Sequence, residues 1–176
     1  MSGDHPTHIV VMGVTGCGKT TVGRKLSELL SATFLDADDL HPPANIEKMS
    51  AGKPLTDEDR QPWLEAVRDW LQTQSADERN AVIACSALKR RYREIIRGVS
   101  TPVLFVHLDG SRAVIGRRLA ERGGHFMPPS LLDSQFAALE PLAADEAGMV
   151  LSIDPTPEDI VRVVADFLDE ERKVAQ

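Results

Sequence analysis

The chain has 176 residues, of which 42% are hydrophobic and 27% are charged. This length suffices for one domain with a sizeable core, and the composition argues against disordered, fibrous and membrane proteins. The formal net charge of -7 at pH 7 gives no positive field that would hold a nucleic acid. The sequence therefore predicts one domain over residues 1–176, with neither a nucleic acid nor a membrane as partner.

The first residues, MSGDHPTH, contain no basic segment followed by an apolar run, and no stretch of about 18 consecutive apolar residues occurs in the chain. Cys17 and Cys85 could in principle pair, but neither the length nor an export signal requires a disulfide. We therefore expect a cytoplasmic protein with reduced thiols.

Five short apolar runs alternate with longer segments of helical periodicity, which is typical of a parallel sheet with helices on both faces. The predicted strands are 8–12, 33–36, 81–85, 103–108 and 149–153. Between them, apolar residues recur at helical spacing over 63–71 and 160–168. The predicted fold class is therefore α/β.

The first predicted strand leads directly into Gly13-Val14-Thr15-Gly16-Cys17-Gly18-Lys19-Thr20, and a helical pattern follows over 21–30. This is the G-x-x-x-x-G-K-[ST] pattern, in which backbone N–H groups and a helix N-terminus converge on phosphate oxygens. We expect Lys19 to reach the β- and γ-phosphates and the Thr20 hydroxyl to coordinate Mg²⁺. The alternative is a glycine-rich turn that only joins strand to helix. The residues predicted to bind the nucleotide here are Gly13, Thr15, Gly16, Cys17, Gly18, Lys19, Thr20 and Thr21, with no chemistry assigned to the Cys17 thiol.

Two carboxylates, Asp36 and Asp38, follow the second predicted strand and face the same way, toward the edge where α/β proteins bind ligands. One could hold the metal through water while the other orients or deprotonates a substrate hydroxyl. We assign Asp36 to the metal, although the spacing alone does not decide which carboxylate is nearer to it. A helix-capping role is the alternative for Asp38 or Asp39, and we assign it to Asp39.

Three later stretches, DADDLHPPANIEKMSAGKPLTDEDRQPWL, ACSALKRRYRE and RLAERGGHFMPPSLLDSQFAALE, resemble the gluconokinase family of P-loop sugar-acid kinases. The resemblance runs from the phosphate loop to about Glu140. It implies in-line transfer of the γ-phosphoryl group of ATP to the 6-hydroxyl of D-gluconate. It also implies a nucleoside-monophosphate-kinase-like fold with strand order 2-3-1-4-5, and it suggests a homodimer.

The same resemblance assigns residues to the acceptor. Asp38 matches the substrate-facing acid of the related shikimate kinases, so we expect it to orient or deprotonate the 6-hydroxyl. His41 and Lys48 are expected to bind hydroxyl and carboxylate groups of gluconate. Gln135 resembles a position on the substrate side and is expected to donate to a hydroxyl.

Arg60 lies just before the predicted helix that carries Trp63. Its planar guanidinium could bind the carboxylate of a sugar acid through two parallel hydrogen bonds. The residues alone predict a surface ion pair with Asp57 or Asp59 equally well. The family resemblance favours binding of the substrate carboxylate.

Ser86 follows the third predicted strand, and Lys89 comes one turn later, which suits contact with the substrate or the transferring phosphoryl group. The surrounding basic run, 89–93, is otherwise expected to be a solvated helix face.

Arg118 and Arg122 are four residues apart on a predicted helix that leads into 123–128, a segment that resembles the mobile lid of this kinase group. We expect a lid over about 122–130 to exclude water, Arg122 to cover the γ-phosphate as charge develops, and Arg118 to lie near the adenine. Ion pairs with Glu121 or other acids are the alternative. His125, within the lid, is given no catalytic role.

Two other functions stay open. The same fold could phosphorylate shikimate, a nucleoside monophosphate or another small alcohol, although the segment 85–89 replaces the glycine-rich turn expected of a shikimate kinase. A nucleotide-dependent switch that never transfers phosphate is the second, but no N-K-x-D or T-K-x-D guanine-reading segment occurs.

Overall fold

The computed structural model describes residues 5–122 and 129–175. Five strands form one parallel sheet in the order β2-β3-β1-β4-β5, which confirms the predicted order 2-3-1-4-5. Each strand agrees with its predicted range to within one residue at either end. The strands are β1 (His8–Met12), β2 (Thr33–Asp36), β3 (Ala81–Ala84), β4 (Val103–Asp109) and β5 (Gly148–Ser152).

Helices connect the strands, and a single 3₁₀ turn, Ala37–Leu40, follows β2. The helices of the described ranges are α1 (Lys19–Leu30), α2 (Pro43–Ser50), α3 (Asp57–Ala76), α4 (Arg90–Ile96), α5 (Arg112–Glu121), α6 (Pro129–Ala138) and α7 (Pro157–Val174). None of these helices is long and apolar enough to cross a lipid bilayer.

The sheet separates two apolar layers because successive side chains of a strand point to opposite faces. On β1, Ile9 and Val11 pack with α1, α5 and α7, whereas Val10 and Met12 pack with α3 and α4. All five residues of β1 are buried. The uninterrupted apolar strand in the sequence is therefore a central strand covered on both faces.

The N-terminus of α3 is fixed by its own first residues. The Thr56 hydroxyl accepts from the Asp59 amide at 3.1 Å, and the Asp59 carboxylate accepts from the Thr56 amide at 2.8 Å. This reciprocal pair is a capping box, which satisfies two N–H groups that would otherwise lack partners. It starts α3 immediately before Arg60, so that the arginine projects from the first helical turn.

A buried ion pair joins α4 to the loop before β5. The side chains of Arg93 and Glu146 are both 0% exposed and make two hydrogen bonds, of 2.8 and 3.0 Å. Arg93 also donates to the backbone oxygens of Ala87 and Leu88 at 3.0 and 3.2 Å. The expectation of a solvated face for the basic run is wrong at Arg93. Glu146, 53 residues away in the sequence, accepts its hydrogen bonds and neutralises its charge inside the protein.

Replacing Glu146 with Gln keeps the shape of the side chain but leaves the Arg93 charge buried without a counter-ion. We expect the free energy of unfolding, measured with urea, to fall by about 3–5 kcal/mol. The matched control is Asp145→Asn, because the neighbouring Asp145–Arg90 pair is largely exposed and should be worth less than about 1 kcal/mol. Equal losses in the two variants would contradict the assignment.

The pH dependence gives a second readout of the same pair. The hydrogen bond from Arg93 is the largest of the effects that lower the pKa of Glu146 from 4.5 to about 2. The ionised pair therefore stabilises the fold fully above about pH 4.5, and this contribution is lost as the pH falls toward 2. The Glu146→Gln variant should show a flatter stability profile over that interval, and an unchanged profile would count against the pair.

Candidate active site

The loop between β1 and α1 takes a backbone conformation that favours glycine. Gly16 and Gly18 have φ of +84° and +102°, and a Cβ atom built on Gly16 would lie 2.8 Å from the Leu119 side chain. Gly13 (φ +143°) donates its N–H to the Ser86 carbonyl at 3.2 Å, which ties the loop to the end of β3. The first N–H groups of α1 have no partner within the helix, so the loop and the helix end form a site for phosphate oxygens.

Lys19 and Thr20 begin α1 at the end of the loop. The Lys19 ammonium group donates to the Val14 carbonyl at 3.0 Å, which folds the side chain back over the loop. The Thr20 hydroxyl donates to Asp36 Oδ2 at 2.9 Å. A hydroxyl and a carboxylate from separate elements thus meet beside the phosphate loop.

Asp36 also caps the 3₁₀ turn, because its Oδ1 accepts from the Asp38 amide at 3.0 Å. The expectation that Asp39 would be the capping aspartate is therefore wrong. The sequence could not separate these carboxylates, since which of them turns back to a backbone N–H depends on the path of the chain after β2, where the 3₁₀ turn was not predicted.

The other predicted loop residues differ in exposure. The Cys17 thiol is buried, and this burial raises its pKa, so the thiol is a small packing group in this structure. Thr21 is exposed in the first turn of α1. Thr15 is held by Gln135 of α6, whose Oε1 accepts from the Thr15 amide at 2.7 Å and whose Nε2 donates to the Thr15 hydroxyl at 3.1 Å. Gln135 thus contacts the phosphate loop directly.

Asp38 lies in the cleft with 86% of its side chain exposed to solvent. The cleft walls flank its carboxylate without covering it. Partial desolvation by these walls, together with the negative charge of Asp36, raises the pKa of Asp38, and Lys19 acts in the opposite direction. A carboxylate with a raised pKa is a better proton acceptor than an ordinary aspartate.

His41 is held as a neutral ring. It stacks on Trp63 with ring centroids 4.2 Å apart, and its side chain is only 5% exposed. Burial, with a further effect of the Arg60 charge, lowers the pKa of His41 to about 4. At neutral pH, His41 therefore offers one N–H donor and one nitrogen acceptor, without a positive charge.

Arg60 projects toward the cleft without an acidic partner. It donates to the Leu55 carbonyl at 2.6 Å and lies over the Tyr92 ring, 5.6 Å from its centroid. Within 4.0 Å it forms no ion pair with any residue of the described ranges. The alternative of an ion pair with Asp57 or Asp59 is not what the structure shows, because other side chains hold both carboxylates.

Lys48 and Lys89 are those other side chains, and neither lies in the cavity wall. Lys48 binds Asp59 at 2.5 Å, and this hydrogen bond is the largest cause that lowers the pKa of Asp59 to about 2. Lys89 binds Asp57 at 3.2 Å, and Tyr92 and Arg91 donate to the same carboxylate. Both lysines brace the first turn of α3, a role that sequence spacing alone could not reveal, and their contact with the substrate stays a prediction.

Arg118 and Arg122 lie at the C-terminal end of α5. Arg118 donates to the Ile153 carbonyl at 2.8 Å, and Arg122 is the exposed C-cap residue. The alternative ion pairs with Glu121 or other acids are not found among the residues the structure describes. The predicted lid segment 123–128, with His125, lies outside these residues.

One cavity of about 680 Å³ collects five of the seven residues predicted to bind the acceptor, together with two residues predicted to bind the nucleotide. Those that line it are Thr15, Lys19, Asp38, His41, Arg60, Ser86 and Gln135. Trp63 and the segment from Met49 to Leu55 form a further part of the wall that the sequence pattern did not predict. The turn residues Gly52 and Pro54 marked that segment as a loop, but nothing in the pattern indicated that it would face the phosphate loop.

The electrostatic character of the cavity favours anions. Among the described residues that line it are three cationic side chains, Lys19, Lys53 and Arg60, and one carboxylate, Asp38. The cavity is also concave and bounded by apolar groups such as Trp63 and Leu55, as small-molecule sites usually are. The arrangement can bind a phosphorylated ligand at one end and a second anionic ligand near Arg60.

Comparison with known proteins identifies the family. The model of the family described as Shikimate kinase matches residues 15–169. A gluconokinase from Gluconobacter oxydans is 51% identical over 156 residues, which cover 89% of this chain and 88% of that protein. The chain belongs to the gluconokinase family. The crystal structure of a gluconokinase from Sinorhizobium meliloti matches with a TM-score of 0.87 at 41% identity, covering 97% of this chain and 96% of that one.

A sugar kinase from Janibacter gives a similar match, with a TM-score of 0.89 at 45% identity over 93% of this chain and 95% of that one. These comparisons confirm the resemblance to gluconokinases that the three sequence stretches indicated. They also confirm the fold class, a P-loop kinase fold, from the phosphate loop to α7.

Proposed function

We propose that this member of the gluconokinase family transfers the γ-phosphoryl group of ATP to the 6-hydroxyl of D-gluconate. The observation that carries the proposal is that one cavity contains the phosphate-loop lysine, Lys19, and the unpaired arginine, Arg60, with Asp38 and His41 also in its wall. A phosphoryl donor and a carboxylate-bearing acceptor can therefore occupy the same enclosed space.

The donor end is built for a magnesium nucleotide. The loop amides and Lys19 would hold the phosphates, and the Thr20 hydroxyl and Asp36 carboxylate present the oxygen ligands that Mg²⁺ prefers. The described residues contain no cluster of three or more metal-binding side chains, which fits a metal that takes most of its other ligands from phosphates and water. When bound, Mg²⁺ neutralises charge on the phosphate oxygens.

The acceptor end supplies orientation and a proton acceptor. Arg60 would bind the gluconate carboxylate, because its guanidinium carries a charge with no acidic partner among the described residues. Asp38 would orient the 6-hydroxyl and take its proton as the new O–P bond forms, while the bond from the γ-phosphorus to the β–γ bridging oxygen breaks and ADP leaves. Ser86 and Gln135, also in the wall, would contact acceptor hydroxyls. Holding the two reactants in line provides most of the catalysis in reactions of this class.

The arginines of α5 would complete the site from the other side. We assign Arg122 to the γ-phosphate as charge develops and Arg118 to the vicinity of the adenine, with a lid over about 122–130 that excludes water. Lys48 and Lys89 would bind gluconate oxygens through ammonium hydrogens that Asp59 and Asp57 do not use. In this structure they stabilise the turn that carries Arg60.

The match to the shikimate kinase model makes shikimate the alternative acceptor to test. Release of ADP from Mg·ATP should be compared with D-gluconate, shikimate, AMP, D-glucose and no acceptor. A high rate with gluconate alone is expected. A high rate with another acceptor would overturn the gluconate assignment, and a slow rate that is the same with or without an acceptor would favour a nucleotide switch.

Replacing Asp38 with Asn should remove the proton acceptor while keeping the size of the side chain. We expect kcat to fall by about 10²- to 10⁴-fold, with little change in the Kd for ATP, because Asp38 contacts the acceptor. The control is Asp39→Asn, since Asp39 is the exposed neighbour outside the cavity wall. A matching loss of nucleotide affinity in Asp38→Asn would indicate a metal-binding role instead.

Replacing Arg60 with Ala should remove the partner of the acceptor carboxylate. We expect the KM for gluconate to rise roughly 10- to 100-fold, as for loss of a hydrogen bond to a charged group. The KM for glucose, which has no carboxylate, should change much less. The comparison requires both acceptors in one steady-state assay, and an unchanged preference between them would refute the role of Arg60.

A further inference from the structure

Asn45, in α2, is a buried polar residue for which the sequence pattern predicted no role. Its side chain is 4% exposed and touches two neighbours through the same atom. Asn45 Nδ2 lies 2.9 Å from the backbone oxygen of Asp59 and 3.3 Å from Nδ1 of His41. The residue therefore connects the first turn of α3 to a ring that lines the cavity.

The contact with Asp59 fixes which end of the Asn45 amide is the donor. A backbone carbonyl oxygen can only accept a hydrogen bond, so the amide atom facing it must be the NH₂ group. That nitrogen carries two hydrogens and is not an acceptor. Its second hydrogen is therefore the one available to His41, and Nδ1 of His41 has to accept it.

An imidazole ring whose Nδ1 accepts a hydrogen bond carries its proton on Nε2 when it is neutral. The His41 ring is neutral at neutral pH because its side chain is buried against Trp63. The charged groups that face the ring are Arg60, whose charge opposes protonation, and Asp38, whose Oδ1 lies 4.0 Å from Nε2. At this distance Asp38 makes no hydrogen bond with the ring, so the Nε2–H group stays available to a ligand.

We propose that Asn45 is a positioning residue that fixes His41 as the Nε2–H tautomer, so that His41 gives the bound acceptor a hydrogen-bond donor. The identity of that acceptor as gluconate rests on the proposed function. The tautomer itself does not, because it follows from contacts within the protein. The Nε2–H group would donate to an oxygen of the bound substrate close to Asp38. The substrates that fit are therefore those with a hydroxyl or carboxylate oxygen at that position.

Substitution of Asn45 by Asp reverses the hydrogen-bonding pattern with almost no change in size. A carboxylate can only accept, so the neutral ring of His41 would carry its proton on Nδ1 and lose the Nε2–H donor. The added negative charge favours the imidazolium, but burial and the Arg60 charge, which lower the pKa of His41 to about 4, oppose it. Asn45→Ala is the second variant, because it removes the donor without adding charge and should allow both tautomers.

The tautomer can be read directly from the ¹⁵N chemical shifts of His41 in the protein without ligands at neutral pH. The His41 signals are assigned by their absence in His41→Gln. We expect protonated Nε2 and unprotonated Nδ1 in the wild type, protonated Nδ1 in Asn45→Asp, and a mixture in Asn45→Ala. A wild-type ring protonated on Nδ1, or a tautomer that neither variant alters, would overturn the proposal.

The kinetic readout separates positioning from a general structural role. Both variants should raise the KM for gluconate about tenfold, the equivalent of one hydrogen bond, with the KM for ATP unchanged. The matched control is Asn80→Asp, because the Asn80 amide also donates to a backbone carbonyl, that of Leu30, at 3.3 Å. Asn80 immediately precedes β3 and so lies at the opposite end of the strand from the cavity. This control should leave both the His41 tautomer and the KM for gluconate unchanged.

The outcomes distinguish this proposal from the proposed function. If the acceptor comparison selects another substrate, the tautomer result stands and the KM effect is sought with that substrate. If the tautomer changes as expected but no KM changes, the positioning role of Asn45 is refuted while the gluconokinase assignment remains. A KM for gluconate that rises as much in Asn80→Asp would also refute it.

Discussion

Parallel pairing of the central strands is the constraint on which the whole site depends. The register pairs Val11 of β1 with Ala84 of β3, and Ala84 in turn with Asp36 of β2. Three segments that are far apart in the chain therefore end side by side at one edge of the sheet. This edge carries the start of the phosphate loop, the Asp36 carboxylate and the turn at Ser86. The Thr20 hydroxyl can therefore donate to Asp36, and the Gly13 amide can donate to the Ser86 carbonyl.

The charged side chains around this edge fall into two groups with different physical roles. In one group, Lys48, Lys89 and Arg93 are each held by a carboxylate, and these pairs fix the positions of α3 and of the turn after β3. In the other, Lys19 and Arg60 donate only to neutral groups of the described chain, so their charge is available to an anionic ligand. The paired residues are thus the framework that holds the available ones in place.

In the α2–α3 region, the His41 ring is kept neutral although the charged Arg60 lies nearby. Trp63 covers one face of His41 and donates its own N–H to the Ala37 carbonyl at 2.7 Å. The Trp63 ring, on which His41 stacks, is thereby anchored to the turn that carries Asp38. Because burial and Arg60 both oppose protonation of His41, the neutral ring would not compete with Arg60 for the carboxylate of the proposed acceptor. An uncharged donor beside a charged one gives directional recognition of hydroxyl groups without excess positive charge.

The sequence by itself determined the five strands and the phosphate loop, because periodicity of apolar residues and the need for glycine at Gly16 and Gly18 are local properties. It also determined the family, through motifs whose order is preserved. Only the tertiary structure decided which polar side chains meet: Arg93 is buried by Glu146, Asp36 and not Asp39 caps the 3₁₀ turn, and Lys48 and Lys89 bind acids of α3. The physical reason is that a charge is neutralised by whichever partner the fold brings within about 3 Å, and that partner can lie anywhere in the chain.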